Sequence, residues 1–135
     1  MEIDLKKIVF TLLFLLTSLY ASLSNEYPSQ ALLNKHIPIV DIRTQGEWRE
    51  TGILKGAIPI TFFKADGSYN VREFLQKLHE KVDTKKPFAL ICRTAHRSTI
   101  VSNFLANKLG YDVINLKGGM NYAISKHLPL EHYPK

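Results

Sequence analysis

The sequence predicts an α/β domain: a mostly parallel sheet with helices on both faces. Three observations predict it. Short apolar runs alternate with longer stretches whose apolar residues recur at helical spacing. The strand-like runs are mostly apolar, as strands buried on both faces are. A single cysteine, Cys92, closes one of these runs. In open α/β sheets, ligands bind beyond the carboxyl ends of the strands.

The elements follow in order. Tyr27-Pro28-Ser29-Gln30 reads as a turn into a short helix, Gln30 to Asn34. Ile37 to Ile42 reads as a strand, with Pro38 near its start, where proline is tolerated. Thr44 is placed to cap a helix from Gln45 to Glu50, with Glu47 completing a capping box and Thr51-Gly52 ending it. Gly56 to Ile60 is a short strand, close to a loop. Asp66-Gly67-Ser68-Tyr69-Asn70 is turn chemistry, with one carboxylate and so no calcium loop. Val71, Phe74, Leu75, Leu78 and Val82 mark an amphipathic helix. Phe88 to Cys92 is a buried strand, and Thr99 to Leu109 a helix stopped by Gly110. Tyr111 to Leu116 is the next strand, Gly118-Gly119 a turn, Met120 to Lys126 the last helix, and Leu128 to Glu131 the close.

At 135 residues the length fits one domain with a sizeable core. A formal net charge of +6 favours anionic partners. The basic residues are scattered, without the clustered stripe of a nucleic-acid surface, so nucleic acid is not expected as a partner.

The first 24 residues read as a secretory signal peptide. A polar start with Lys6 and Lys7 precedes apolar sequence from Ile8 to Leu16, broken only by Thr11, and small residues follow. Glu2 and Asp4 cancel the lysines, so the remaining chain keeps +6. Cleavage after Ser24 is the expected position, with Ala21 the other candidate, which leaves residues 25–135 as the folded domain. The alternative is an uncleaved N-terminal anchor, the one route to a membrane; the apolar run of roughly 16 residues is short of the ~20 a span prefers. Export, to a periplasm in a Gram-negative source, puts Cys92 in an oxidising compartment with no internal partner.

The segment Cys92-Arg93-Thr94-Ala95-His96-Arg97-Ser98 carries the chemistry. It places a thiol between a strand and a helix, with two arginines close by. Helix N-termini and cationic neighbours both favour a thiolate. Arginine forks suit oxyanions, and His96 adds a donor or a charge. The remaining histidines, His36, His79, His127 and His132, show no metal-ligand spacing, and no metal or organic cofactor is expected.

Four ordered stretches together resemble a single rhodanese domain over nearly the whole of residues 25–135. They are Val40-Asp41-Ile42-Arg43 with Glu47-Trp48, Gly52 and Gly56-Ala57; the Cys92–Ser98 segment; Leu109-Gly110-Tyr111; and Leu116 to Met120, ending in Leu128-Pro129. The resemblance implies a five-stranded parallel sheet flanked by helices. It also implies a thiosulfate:cyanide class of sulfurtransferase, moving sulfane sulfur from a small anionic donor to a thiol or cyanide acceptor. Cys92 would carry the persulfide. Arg93, Thr94, Ala95, His96, Arg97 and Ser98 would form the active-site loop, with Arg97 closing it, and Asp41 and Arg43 would brace it. An exported protein of sulfur metabolism is a candidate recipient.

The chain departs from the family pattern at Ile53, Ala123 and Ala95. The first two read as packing changes. Ala95 stands where glycine is frequent, and alanine resists positive φ, so the expectation is either an αR-compatible loop or an altered cradle. Four residues separate Cys92 from Arg97, one fewer than in the related cysteine phosphatases, which favours sulfur over phosphate. Other functional readings stay open: a sulfur carrier or binding module with incidental turnover, more distantly a phosphatase or oxyanion reductase using the same cradle, and last an inert domain. For Arg97, an ion pair with an acidic residue near the first strand stays open beside substrate contact.

Overall fold

The computed structural model describes residues 3–8 and 22–134. Its main sheet has five parallel strands in the order β1-β6-β5-β2-β4. The strands are β1 (Leu23–Glu26), β2 (Ile39–Asp41), β4 (Ile58–Pro59), β5 (Phe88–Ile91) and β6 (Val113–Leu116). Two short strands, β3 (Ile53–Leu54) and β7 (Leu130–Glu131), pair antiparallel as a separate ribbon. The helices of the domain are α1 (Gln30–Asn34), α2 (Gln45–Thr51), α3 (Val71–Lys81), α4 (His96–Leu109) and α5 (Gly119–Ser125).

Side chains alternate across the sheet and divide the core in two. Val40, Phe88, Leu90 and Val113 face α3 and α4, meeting Phe74, Leu78, Val101 and Leu105. Ile39, Ala89, Ile91 and Leu116 face the other layer, meeting Leu32, Trp48, Met120 and Ala123. Ala123 is fully buried there, so a side chain larger than alanine would have to displace these neighbours.

Local chemistry sets the helix ends. Thr44 and Glu47 form the expected capping box, and α2 runs one residue further than expected, to Thr51. Asn70 caps α3 by accepting the Glu73 N–H. Gly110, at φ 73°, ends α4 in the left-handed conformation.

The fold adds three things to the sequence reading. Leu23 and Ser24 belong to β1, paired with Val113 and Ile114, so a domain boundary after residue 24 cuts through a strand. The apolar run from 9 to 21, on which the leader reading rests, lies outside the described residues. The close of the chain contains β7, and Ile53 lies in β3 opposite Glu131. Finally, α4 begins at His96 and not at Thr99, which moves His96, Arg97 and Ser98 from the loop into a helix's first turn.

β5 lies between β6 and β2, and after β4 the chain crosses back to the other side of β2. The carboxyl ends of β2 and β5 therefore meet at the point where the strand order reverses, where a crevice forms. Asp41 ends β2, and Cys92 follows the last residue of β5.

Candidate active site

Cys92 enters the loop directly from β5 and is 1% exposed. The chain turns at Ala95, which has φ 81° and ψ −2°, and starts α4 at the next residue. Ala95 has no side chain able to cap the helix. The cysteine sulfur takes that role: Sγ accepts the N–H of Ala95 at 3.2 Å and that of Ser98, the third helical residue, at 3.3 Å. These N–H groups are among those a helix N-terminus leaves without an intrahelical partner. The 14-residue helix directs the positive end of its dipole at the sulfur.

The geometry settles the question posed by Ala95. The residue is not αR; it occupies the left-handed conformation that glycine takes without strain. The turn retains its N–H contacts to sulfur. The cost, about 1–2 kcal/mol for an L-residue, is borne by the surrounding packing.

Arg97 turns its guanidinium to Glu47 on α2, with Nη1–Oε1 at 2.7 Å and Nη2–Oε2 at 2.8 Å. This is the fork geometry of a charge-assisted pair. The Arg97 hydrogen bond holds the Glu47 carboxyl down to about 2, against the opposing effect of its burial. The same bond raises the Arg97 guanidinium above its ordinary value. The acidic partner is thus Glu47, the capping-box residue, which also accepts from Thr44.

Asp41 and Arg43 form a buried ion pair, 2.8 Å apart. Arg43 also donates to Thr51 Oγ1 and the Gly52 carbonyl, and Trp48 Nε1 donates to Asp41. Every member has a partner, as buried charges require. The network ties the end of β2 to α2 and so fixes the helix that presents Glu47.

The other side of the loop is held by α5. Met120 N–H donates to the Cys92 carbonyl at 2.8 Å and Asn121 N–H to the Arg93 carbonyl at 3.0 Å. Backbone comes this close because residue 119 is glycine. A Cβ there would lie 2.5 Å from both the Cys92 and the Arg93 carbonyl oxygens, and its φ is 56°. The sequence marks Gly118-Gly119 as a turn but not as the floor of the site; a helix-opening glycine pair is the only local signal.

Arg93, Thr94 and His96 are exposed on the outer rim. Two clefts flank the loop. One, of about 540 Å3, is lined by Glu47, Phe63, Lys64, His96, Arg97 and Ile100. The other, of about 250 Å3, is lined by Arg43, Glu47, Thr51, Arg93, Met120 and Asn121. The Glu47 carboxylate borders both, and the loop residues Arg93, His96 and Arg97 that follow Cys92 line one or the other. The arrangement offers a sulfur nucleophile in an amide cradle, with free cationic groups on the rim and one arginine committed to structure.

A family model described as Rhodanese-like domain matches residues 24–125. The uncharacterized protein RP600 of Rickettsia prowazekii is 39% identical over 83 residues, covering 59% of this chain and 65% of that protein, slightly under two thirds of its length. The crystal structure of Rv0390 from M. tuberculosis superposes with a TM-score of 0.65 at 18% identity, over 83% of this chain and 100% of that one. A rhodanese-like domain protein from Staphylococcus aureus gives a TM-score of 0.56 at 21% identity, over 82% and 98%. RPA3614 of Rhodopseudomonas palustris, described as of unknown function and a possible tyrosine phosphatase, gives 0.57 at 20%, over 97% and 99%. At these identities the solved structures speak to the fold, whereas the family model spans most of the sequence and includes every loop residue from Cys92 to Ser98: the chain belongs to the rhodanese-like domain family.

Proposed function

We propose that the protein is a sulfurtransferase moving sulfane sulfur from a thiosulfate-like donor, through a persulfide on Cys92, to a thiol or cyanide acceptor. The observation that carries the reading is the Cys92 sulfur capping α4, with two N–H groups directed at it.

The Cys92 thiolate attacks the outer sulfur of thiosulfate. A bond forms between the two sulfurs, the bond inside thiosulfate breaks, and sulfite leaves with the electron pair. The product is an anionic persulfide, which amides and a helix N-terminus stabilise without a metal. The acceptor then attacks the outer sulfur, and the Cys92 thiolate leaves with the pair. With cyanide the product is thiocyanate. Burial of Sγ is compatible with the second step, because the added sulfur places the reacting atom about 2 Å beyond it. Arg93 and His96 on the rim suit attraction of a small anion.

Phosphatase chemistry is the less favoured reading. A phosphate-binding loop needs its arginine turned inward, and here both Nη atoms of that arginine donate to Glu47.

The test is intact mass after incubation with thiosulfate. A gain of one sulfur, ~32 Da, removed by cyanide and missing in Cys92→Ser, is the expected result for thiolate chemistry. Cys92→Ser should stay folded and lose transfer completely; retained turnover sinks the mechanism. A persulfide that forms while cyanide turnover is negligible would instead mark a carrier handing sulfur to another exported protein. Export to the periplasm, with the N-terminal segment as leader or anchor, is part of this proposal. No helix among the described residues is long and apolar enough to cross a membrane.

A further inference from the structure

Behind the cradle lies a buried polar chain that the sulfur-transfer steps do not use. Asn115, on β6, faces α4 and is 3% exposed, and Ser98 is fully buried. The Ser98 hydroxyl is 2.7 Å from Asn115 Oδ1 and 3.5 Å from Cys92 Sγ. Its remaining contact, to the Ala95 carbonyl, is 3.3 Å.

The amide orientation follows from its other end. Asn115 Nδ2 donates to Asn25 Oδ1 at 2.9 Å and to Thr99 Oγ1 at 3.0 Å. Thr99 gives its own proton to the Ala95 carbonyl at 2.6 Å, so towards Asn115 its oxygen accepts. Nδ2 therefore faces acceptors, and Oδ1 faces Ser98. A serine hydroxyl has one proton. The short 2.7 Å contact places that proton on the Asn115 side. Towards Cys92, Ser98 then presents a lone pair, which accepts from the thiol S–H.

We propose that Asn115 is a positioning residue for Cys92: it holds the Ser98 proton away from the sulfur and so sets how readily the thiol becomes a thiolate. A thiolate has no proton to give Ser98 and gains from receiving one. Turning the Ser98 hydroxyl to sulfur strands Asn115 Oδ1 in a buried site, so the two acceptors compete for one proton. The same amide reaches Asn25 on the edge strand β1 and Thr99 on α4, linking the sulfur to an element far from it in the chain. The bearing on turnover rests on the sulfurtransferase reading, but the thiolate can be read without it.

The charged groups around Cys92 are Arg97 from the first turn of α4, the Asp41–Arg43 pair at β2, Glu47 from α2, and the rim residues Arg93 and His96. β6 contributes the neutral Asn115 on this side, so replacing it by a neutral residue leaves those charges in place.

The experiment is the pH profile of Cys92 alkylation by iodoacetamide in the full chain. Asn115→Leu keeps the branched four-atom side chain and removes the competing acceptor; the alkylation midpoint should fall by roughly 0.5–1 pH unit. Asn115→Leu in a Ser98→Ala background should show no such fall, because the effect passes through the hydroxyl. Ser98→Ala alone should leave the midpoint within roughly 0.3 unit of the parent, since its proton is already committed to Asn115. A midpoint raised by a full unit in Ser98→Ala would show the hydroxyl already serving the thiolate and would overturn the proposal. So would an unchanged midpoint in folded Asn115→Leu, or the same shift in both backgrounds. A normal profile with no persulfide after thiosulfate would instead count against the sulfurtransferase reading alone.

Discussion

Arg97 and Glu47, 50 residues apart in sequence, close on one another through two hydrogen bonds of 2.7 and 2.8 Å and join the first turn of α4 to α2. The pair is half-buried and competes with any role for Arg97 as a direct oxyanion clamp. In this chain the arginine at the end of the loop ties the loop to α2, and on the proposed reading anion attraction falls to Arg93, His96 and the amides.

The pair makes stability pH-dependent in a defined direction. Glu47 titrates near 2 when folded and near 4.5 when free, so its contribution is complete above pH 4.5 and is lost as the pH falls towards 2. Glu47→Gln keeps the capping-box geometry and removes the charge. At neutral pH the substitution should lower stability by about 1 kcal/mol, the full shift being discounted because the pair is partly open to solvent. Denaturant titrations of both proteins from pH 7 to pH 2 should converge at the acid end; a constant difference would assign the effect to packing.

Ala95 yields the opposite sign. Glycine at this position relieves a left-handed alanine, worth about 1–2 kcal/mol, and returns about 0.5–1 kcal/mol through a freer unfolded chain. Ala95→Gly should therefore be as stable as the parent or up to about 1.5 kcal/mol more so, with sulfur transfer retained or modestly increased. Thermal unfolding and cyanide turnover check both. A large loss of activity in a stable variant would mean that the methyl group itself shapes the loop.

Gly119 admits no such freedom. A methyl group there meets the Cys92 and Arg93 carbonyl oxygens at 2.5 Å, and backbone cannot swing aside as a side chain can. Gly119→Ala should cost about 2–4 kcal/mol and depress persulfide formation even where the protein remains folded. Gly56→Ala is the control: its φ is similarly positive but its Cβ would meet nothing within 4 Å. If the two variants behave alike, backbone conformation and not the approach of α5 is what matters.

What could be read from the sequence follows the range of the interaction involved. α2 was legible because Thr44, Glu47 and the stop at Gly52 all act within one turn of one another. The position of Cys92 was legible because an apolar run, a thiol and a helix are consecutive. Strand β1 was hidden: Leu23 and Ser24 continue the composition of an apolar leader, and they become a strand only by pairing with Val113 and Ile114. The ribbon of Ile53–Leu54 with Leu130–Glu131 has two residues a side, too short to carry a period, and exists through its partner. The start of α4 was misplaced because Ala95 is not a recognisable cap; the cap is the Cys92 sulfur, three residues earlier. Asn115 looks like an ordinary polar residue in a strand until Ser98, Thr99 and Asn25 are brought around it.

The placement of β1 also bears on processing. Ser22 donates its N–H to Asp112 Oδ1 at 3.1 Å, and its carbonyl accepts from Val113 N–H at 2.8 Å. Leu23 packs against the core cluster on the α4 side. Cleavage after Ser24 removes all of these contacts; cleavage after Ala21 keeps them and sets a new α-ammonium beside the Asp112 carboxylate. If the leader is processed, the mature chain should therefore begin at Ser22, contrary to the position favoured by the small-residue pattern. Relative to a chain starting at Asn25, it should be more stable by about 1–2 kcal/mol, from the partly buried Leu23 and the edge hydrogen bonds. Intact mass of the exported protein fixes the terminus, and urea titration of the two chains measures the difference. Equal stability would mean that the first half of β1 adds nothing to the sheet, and the argument for Ser22 would fall with it.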